Sequence, residues 1–88
     1  MHIPPINIVR HFIPGEYAIC CLTDGTYAFT WGDVVSGDTI SAPAVPTAEA
    51  GVFVTPSYKA CVVEWRNLAF VLKATKPTLA AEMLAEVA

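Results

Sequence analysis

The side chains of this 88-residue chain that are capable of chemistry are few and scattered. Its cysteines are Cys20, Cys21 and Cys61, and its histidines are His2 and His11. Neighbouring cysteines on a strand point to opposite faces, so Cys20 and Cys21 are poorly placed to share one metal ion. A zinc site completed by His2 or His11 is one interpretation. Buried free thiols that pack as small hydrophobic groups explain the pattern more simply, and we predict no metal ligands.

The acidic residues do not form a catalytic or calcium-binding set that we recognise. Asp24, Asp33 and Asp38 each adjoin a glycine. Turns explain such pairs, because glycine adopts positive φ and the Asp carboxylate accepts nearby backbone N–H groups. The spacing lacks the alternation of a calcium loop, and His11 has no nucleophile in a known motif to activate. We therefore expect no catalytic residue, no cofactor and no enzymatic activity.

The composition is apolar for so short a chain. Hydrophobic residues make up 55% of the sequence and charged residues 15%, whereas about 25% of the residues of a typical soluble domain are charged. A small domain has a high surface-to-volume ratio and cannot bury so much apolar surface within itself. Because exposed apolar patches mark contact sites, we predict self-association or tight binding to another protein.

The net charge of −3 argues against binding to nucleic acid, because such binding requires clustered Lys and Arg. Residues 1–55 hold one basic and five acidic residues, and residues 56–88 hold four basic and three acidic ones.

No window of about 18 residues is free of charges and prolines, so we predict no transmembrane helix and no membrane partner. The prolines of residues 1–17 interrupt the apolar core that a signal peptide needs, so we expect no export by that route.

The clearest local signal is the segment "EYAICCLTDGTYAFTW" at residues 16–31. Two runs with high β-propensity, at residues 17–22 and 27–31, flank an Asp-Gly pair that is typical of a two-residue hairpin turn. One face of the first run would carry Tyr17, Ile19 and Cys21, and the other Ala18, Cys20 and Leu22. Both faces are apolar, so we predict a hairpin that is covered on both sides.

The remaining segments are shorter or less regular. Residues 1–14 carry three prolines around "INIVRHFI", which predicts an edge strand or an extended arm that lies on a neighbour. Residues 42–51 are typical of a loop with polyproline character, and residues 52–54 of a short strand. Pro77 and Thr78 predict a short helix over residues 77–88, with Leu79, Met83 and Val87 on one face.

Residues 57–75 allow two interpretations. A helix would have Thr55 as its N-cap and Pro56 as its first residue. Two apolar residues, Val63 and Phe70, would interrupt its polar side. The apolar face would carry Tyr58, Cys61, Trp65, Leu68, Ala69 and Leu72, and the polar side Lys59, Arg66 and Lys73. A hairpin would instead place Cys61, Val63 and Trp65 inward and turn near residues 66–67. We favour the hairpin, because the preceding chain is β and needs further strands.

The stretch "WGDVVSGDTISAPAVPTAEAGVFVTP" at residues 31–56 contains two Gly-Asp corners and a "GVF" strand. It resembles the "GDVVxGD … GVFxxP" rhythm of small β-rich bacteriophage head proteins of the decoration or cement class. The resemblance implies a non-enzymatic virion protein that binds a lattice of capsid subunits, often as a symmetric oligomer. It also implies that the protein is found in the virion or in the cytoplasm of the host cell.

Together these patterns predict one mainly β domain of the α+β class over residues 1–88. It would hold a small antiparallel sheet or barrel-like core and a short C-terminal helix. The predicted function is structural, through apolar contacts with other copies or with a virion shell. The predicted contact residues are Ile6, Ile8, Phe12, Leu79, Met83 and Val87. The alternative is a small inhibitor or regulator that binds one host protein through an acidic face formed by Asp24, Asp33 and Asp38.

Overall fold

A computed structural model describes residues 3–88 and shows an α+β fold. The elements in chain order are β1 (Ile6–Ile13), β2 (Tyr17–Leu22), β3 (Tyr27–Trp31), β4 (Val35–Ser36), β5 (Thr39–Ile40), β6 (Gly51–Thr55), α1 (Tyr58–Leu72) and α2 (Pro77–Glu86). One four-stranded antiparallel sheet has the order β1-β2-β3-β6, and β4 and β5 form a separate two-stranded sheet. The predicted class and the short C-terminal helix are confirmed. The main sheet is open, with β1 and β6 at its edges.

The β2–β3 hairpin has the predicted strand bounds. Its connection is longer than the predicted two-residue turn. The amide of Gly25 donates to the carbonyl of Leu22 at 3.1 Å, and the amide of Leu22 donates to the carbonyl of Thr26 at 2.8 Å. Within this loop only Gly25 has positive φ, at 87°, as expected for a three-residue loop that ends in a glycine bulge. Hydrogen bonds from the Thr26 hydroxyl and amide lower the pKa of the Asp24 carboxyl.

Both faces of the sheet are covered, as the two apolar faces of β2 predict. Ile19 faces the helices, while Ala18, Cys20 and Leu22 face the small sheet, and all four are buried. The helix-side core consists of Ile13, Ile19, Phe29, Cys61, Trp65, Ala69 and Met83. The core on the second face consists of Ile6, Ala18, Cys20, Leu22, Ala28 and Val52.

Residues 57–75 are mostly helical, so the favoured hairpin is wrong. Cys61, Trp65 and Ala69 recur every four residues and are fully buried, which is the spacing that lays one helix face on a sheet. The main sheet already receives its fourth strand from β6, and the chain that follows covers this sheet instead of extending it. Ser57 is the N-cap, and its hydroxyl accepts the amide three residues on at 3.2 Å. Thr55, the predicted cap, ends β6.

Trp65 joins the two helices to the sheet. Its side chain is fully buried, and its Nε1–H donates to the carbonyl of Met83 at 2.6 Å. Its ring lies 6.0 to 6.3 Å from the rings of His11, Tyr17 and Phe29, measured between centroids. The carbonyl of Met83 belongs to the last turn of α2, where carbonyls have no partner within the helix. The indole therefore satisfies a backbone group and fixes α2 against α1.

The Gly-Asp corner after β3 is fixed by a close backbone approach. Gly32 has φ of 80°, and a Cβ there would overlap the carbonyl of Glu49. Gly51 lies opposite Trp31 in the sheet, where the Trp31 ring occupies the space that a Cβ would need. The Trp31 Nε1–H also donates to the carbonyl of Thr47 at 2.7 Å. These contacts hold the loop of residues 41–50 against the end of the sheet.

We predict that Trp65→Phe lowers the free energy of unfolding by about 2 to 4 kcal/mol, because it leaves a gap in the core and an unpaired carbonyl at Met83. Urea denaturation of the purified variant measures this loss. Trp31→Phe is the matched control, since the carbonyl it releases is exposed and regains water, at a cost of about 1 kcal/mol or less. Equal losses of unfolding free energy for the two variants would contradict the role of Trp65 as the residue that joins both helices to the sheet.

We also predict that Gly32→Ala destabilises the fold more than Gly37→Ala. Both glycines have positive φ, so each substitution adds about 1 to 2 kcal/mol of backbone strain. Only Gly32 meets another backbone segment, because a Cβ at Gly37 has no neighbour within 4 Å. Thermal unfolding of both variants should give the lower melting temperature for Gly32→Ala. A larger effect at Gly37 would show that the close approach to Glu49 is unimportant.

Candidate functional site

The predicted contact residues divide into exposed and buried groups. Ile8 and Phe12 on β1 are 48% and 46% exposed. Ile6 and Met83 are core residues and cannot act as surface anchors in this fold. Met83 lies under Trp65, and Ile6 lies under the small sheet, with its amide donating to the carbonyl of Asp38 at 2.8 Å.

The apolar face of α2 is used within the chain. Leu79 and Val87 are partly buried and pack against the helix-side core, and Ala80 is fully buried. The expectation that this helix reaches a neighbour through that face is therefore not supported, because α1 and β1 already occupy it. Removal of residues 77–88 would open the core, so it cannot serve as a test of a contact surface.

The exposed apolar residues of β1 form what we call the β1 patch, defined as Ile8, Val9 and Phe12. Val9 and Phe12 pair with Cys20 and Ala18, so both project from the second face of the sheet. Ile8 projects from the helix side of the same edge strand. Register shifts in β1 bend this edge, which otherwise offers unpaired backbone groups. The β1 patch thus combines an open strand edge with apolar side chains on both faces.

A second exposed surface runs along the outer side of α1. We call it the α1 stripe, and its members are Lys59, Val63, Arg66, Phe70 and Lys73. Phe70 is 58% exposed, and the Lys73 ammonium lies 4.6 Å from its ring centroid. Arg66 donates to the carbonyl of Val87 at 3.2 Å. The sequence signal for this surface was the pair of apolar residues on the polar side of the helical interpretation. The preference for a hairpin concealed it.

A polar cluster joins the edge strand to both helices. His11 Nε2 is hydrogen-bonded to the hydroxyl of Tyr58, and His11 Nδ1 lies 3.9 Å from Glu86 Oε1. The Arg10 guanidinium lies 5.7 Å from the centroid of the Tyr58 ring. A nucleophile held by a base and an orienting carboxylate is the arrangement of covalent catalysis. His11, Tyr58 and Glu86 line neither of the two cavities described below, and their contacts connect β1 to α1 and α2.

The cysteines lie in three different surroundings. Cys20 is buried under the small sheet and Cys61 under α1, while Cys21 is only partly buried. Burial raises the pKa of the Cys20 thiol to about 11, and burial together with the charge effects of Cys20 and Glu64 does the same for Cys61. Within residues 3–88 no group of three or more His, Cys, Asp or Glu side chains could hold a metal ion. His2 lies outside the described residues.

We predict that only Cys21 reacts quickly with a thiol reagent in the native protein, because Cys20 and Cys61 are fully buried. A chromogenic disulfide at pH 8 should report one fast thiol, and three after denaturation. Cys21→Ser is the control and should remove the fast phase.

The raised pKa values of Cys20 and Cys61 make the stability of the fold depend on pH, since these thiols ionise at a lower pH in the unfolded chain than in the folded one. Stability should fall as the pH rises from about 9 towards about 11. Rapid modification of Cys20 at pH 8 in the native protein would contradict the predicted burial of its thiol, and stability that does not change between pH 9 and pH 11 would contradict the predicted pH dependence.

The three turn carboxylates do not share one surface. Asp24 and Asp38 lie near the start of β1, where the amide of Thr23 donates to Pro5 and the amide of Ile6 donates to Asp38. Asp33 follows the far end of β3, a strand of five residues that spans roughly 16 Å. The predicted acidic face is thus divided between the two ends of the sheet.

Two adjoining cavities lie at the end of the sheet where β3 stops. The first, which we call the end groove, has a volume of about 360 Å³. Its lining residues are Gly15, Glu16, Tyr17, Trp31, Gly32, Ala48, Glu49, Leu68 and Lys76. The second cavity, of about 560 Å³, shares Glu16 and Lys76 with it. The side chains that line it include the aromatic rings of Tyr17 and Trp31 and the carboxylates of Glu16 and Glu49.

The carboxylates of the end groove are open to a cationic partner. Over residues 3–88, neither Glu16 nor Glu49 has a Lys, Arg or His nitrogen within 4.0 Å. Glu16 lies close enough to Tyr17 to influence its titration. Burial, and after it the Glu16 charge, raise the pKa of the Tyr17 hydroxyl above its ordinary value. Lys76 also lines the end groove, so the groove combines aromatic surface with two carboxylates and one ammonium group.

Comparisons with protein-family models, with curated proteins and with solved structures found no match. The resemblance of residues 31–56 to phage head proteins accordingly stays a prediction. Over residues 3–88, neither helix has the length and apolar character needed to cross a membrane.

Proposed function

We propose that this chain is a non-enzymatic interaction protein that assembles with copies of itself or with a larger protein shell through apolar contacts. One observation carries the proposal. Large hydrophobic side chains remain exposed although both faces of the sheet are covered. They are Ile8, Val9, Phe12, Val45, Phe53, Val63, Phe70 and Val71. The sequence predicts such a surplus, and the fold puts part of it on two defined surfaces, the β1 patch and the α1 stripe.

The β1 patch is the contact surface that we propose for the partner. Full burial of a large apolar side chain contributes about 1.5 to 3 kcal/mol, and the three patch residues are already half-buried in the monomer. Their combined contribution of roughly 2 to 5 kcal/mol barely meets the cost of association, which is about 4 to 15 kcal/mol. One such contact is weak, whereas several presented together by an oligomer or a lattice bind tightly. The weakness of a single contact therefore favours a partner that presents many copies of its binding surface.

Within this class, we propose a virion component that decorates or helps to assemble a phage capsid. The support is the resemblance of residues 31–56 together with the role of that segment in the fold. Contacts of Trp31 and Gly32 hold the loop of residues 41–50 against the sheet. Strands β4 and β5 cover the second face of the sheet. The segment acts as a rigid platform, which leaves β1 and the outer side of α1 available for contacts.

We predict that the purified protein is oligomeric in light scattering across a concentration series, and that the oligomer persists at high salt. Apolar contacts are not screened by salt, whereas contacts between exposed charges are. Phe12→Ser should shift the equilibrium towards the monomer, because it removes the largest side chain of the β1 patch. Val45→Ser is the matched control, since Val45 is 75% exposed but lies in the loop of residues 41–50.

Two results would count against this proposal. A wild-type protein that stays monomeric at every concentration, alone and with capsid shells, would contradict it. A monomer that binds one host protein and loses that binding in moderate salt would favour the alternative, an inhibitor or regulator acting through its acidic residues.

A further inference from the structure

The α1 stripe and the end groove are opposite in charge. The α1 stripe contains Lys59, Arg66 and Lys73, three of the five basic residues of the chain. Residues 11–58 hold five acidic residues and no Lys or Arg. Two of those acidic residues, Glu16 and Glu49, line the end groove together with one basic residue, Lys76, so the lining has a formal charge of −1. One molecule thus presents both halves of an electrostatically complementary pair.

The chemistry of the end groove suits a cation that stands next to an apolar group. Tyr17 and Trp31 supply aromatic surface, which attracts ammonium and guanidinium groups, and the two carboxylates add charge. The α1 stripe offers that combination, because the exposed Phe70 ring lies between Arg66 and Lys73 along the helix. A cavity of about 360 Å³ lies within the range of about 300 to 1,000 Å³ that binding pockets occupy.

The geometry excludes docking of the two surfaces within one molecule. Leu68 lines the end groove of its own copy. Phe70 follows two residues later, and a rotation of about 100° per residue places it about 200° further round α1. The α1 stripe therefore faces away from the groove of the same chain and is free to meet the groove of another.

We infer that the α1 stripe of one copy docks in the end groove of a second copy, with Phe70 as the apolar anchor and the basic residues facing Glu16 and Glu49. The inference rests on the self-association proposed above and adds a second contact to it, separate from the β1 patch. The two surfaces differ, so the contact is head-to-tail and leaves one free groove and one free stripe on each pair. Such contacts continue into a closed ring or an open chain.

The contact is tested by two variants that each destroy one surface. Phe70→Asp removes the anchor, and Glu49→Arg reverses a charge at the groove. Both side chains are exposed, so the fold should survive, and circular dichroism checks this. We expect each variant alone to associate at least tenfold more weakly than the wild type. Val71→Asp is the matched control, because Val71 is 71% exposed but lies outside the α1 stripe, and it should leave association unchanged.

Mixing the two variants gives the decisive result. The Glu49→Arg copy retains an intact stripe and the Phe70→Asp copy an intact groove, so an equimolar mixture should form a 1:1 dimer in sedimentation velocity. A contact between two identical surfaces would not be restored in this way. If either variant fails to fold, Lys73→Glu and Glu16→Lys replace the pair.

The outcomes separate this inference from the proposed function. If the wild type associates but Phe70→Asp does not weaken it, or if mixing restores no dimer, the head-to-tail contact is wrong. Self-association through the β1 patch would then stand and would respond to Phe12→Ser. If the wild type is monomeric at every concentration, self-association and this contact both fail.

Discussion

The burial of one indole ring determines most of this structure. Trp65 packs against rings from β1, β2 and β3, and its single N–H group donates to the carbonyl of Met83 in α2. A residue that touches the sheet and the second helix leaves α1 a single orientation about its own axis. Cys61 and Ala69 must then lie inside, and Val63 and Phe70 must lie outside. The α1 stripe, to which we assign a contact between copies, is thus a consequence of core packing.

The second constraint is a sheet with two apolar faces. The helices cover most of one face, where Ile8 and Phe53 stay partly exposed, and the other is covered by strands of only two residues each. This small cover reaches Ile6 and Val52 and stops short of the outer margin of β1, where Val9 and Phe12 stay exposed. The exposed apolar surface therefore has a geometric cause, because the covering hairpin is narrower than the sheet beneath it.

The sequence predicts local features well and distant ones poorly. The strands β2 and β3 were predictable because β-propensity and an Asp-Gly turn act over a few residues. The helix α1 was not, because its valines and aromatic residues favour strands and only long-range burial of Trp65 decides the matter. The apolar face of α2 could be seen, but not that α1 and β1 occupy it. The end groove joins Glu16, Glu49 and Leu68, which are far apart in the chain, and no local pattern reveals it.

The two-sided sheet has a consequence for synthesis in the cell. Strands β2 and β3 contain no charged residue and are joined by a short loop, so they pair early at little entropic cost. The residues that cover their helix side lie at 61–83, in the last third of the chain. A nascent chain therefore carries a bare apolar sheet until that last third has left the ribosome. During that interval the exposed apolar face and the unpaired strand edges are prone to aggregate.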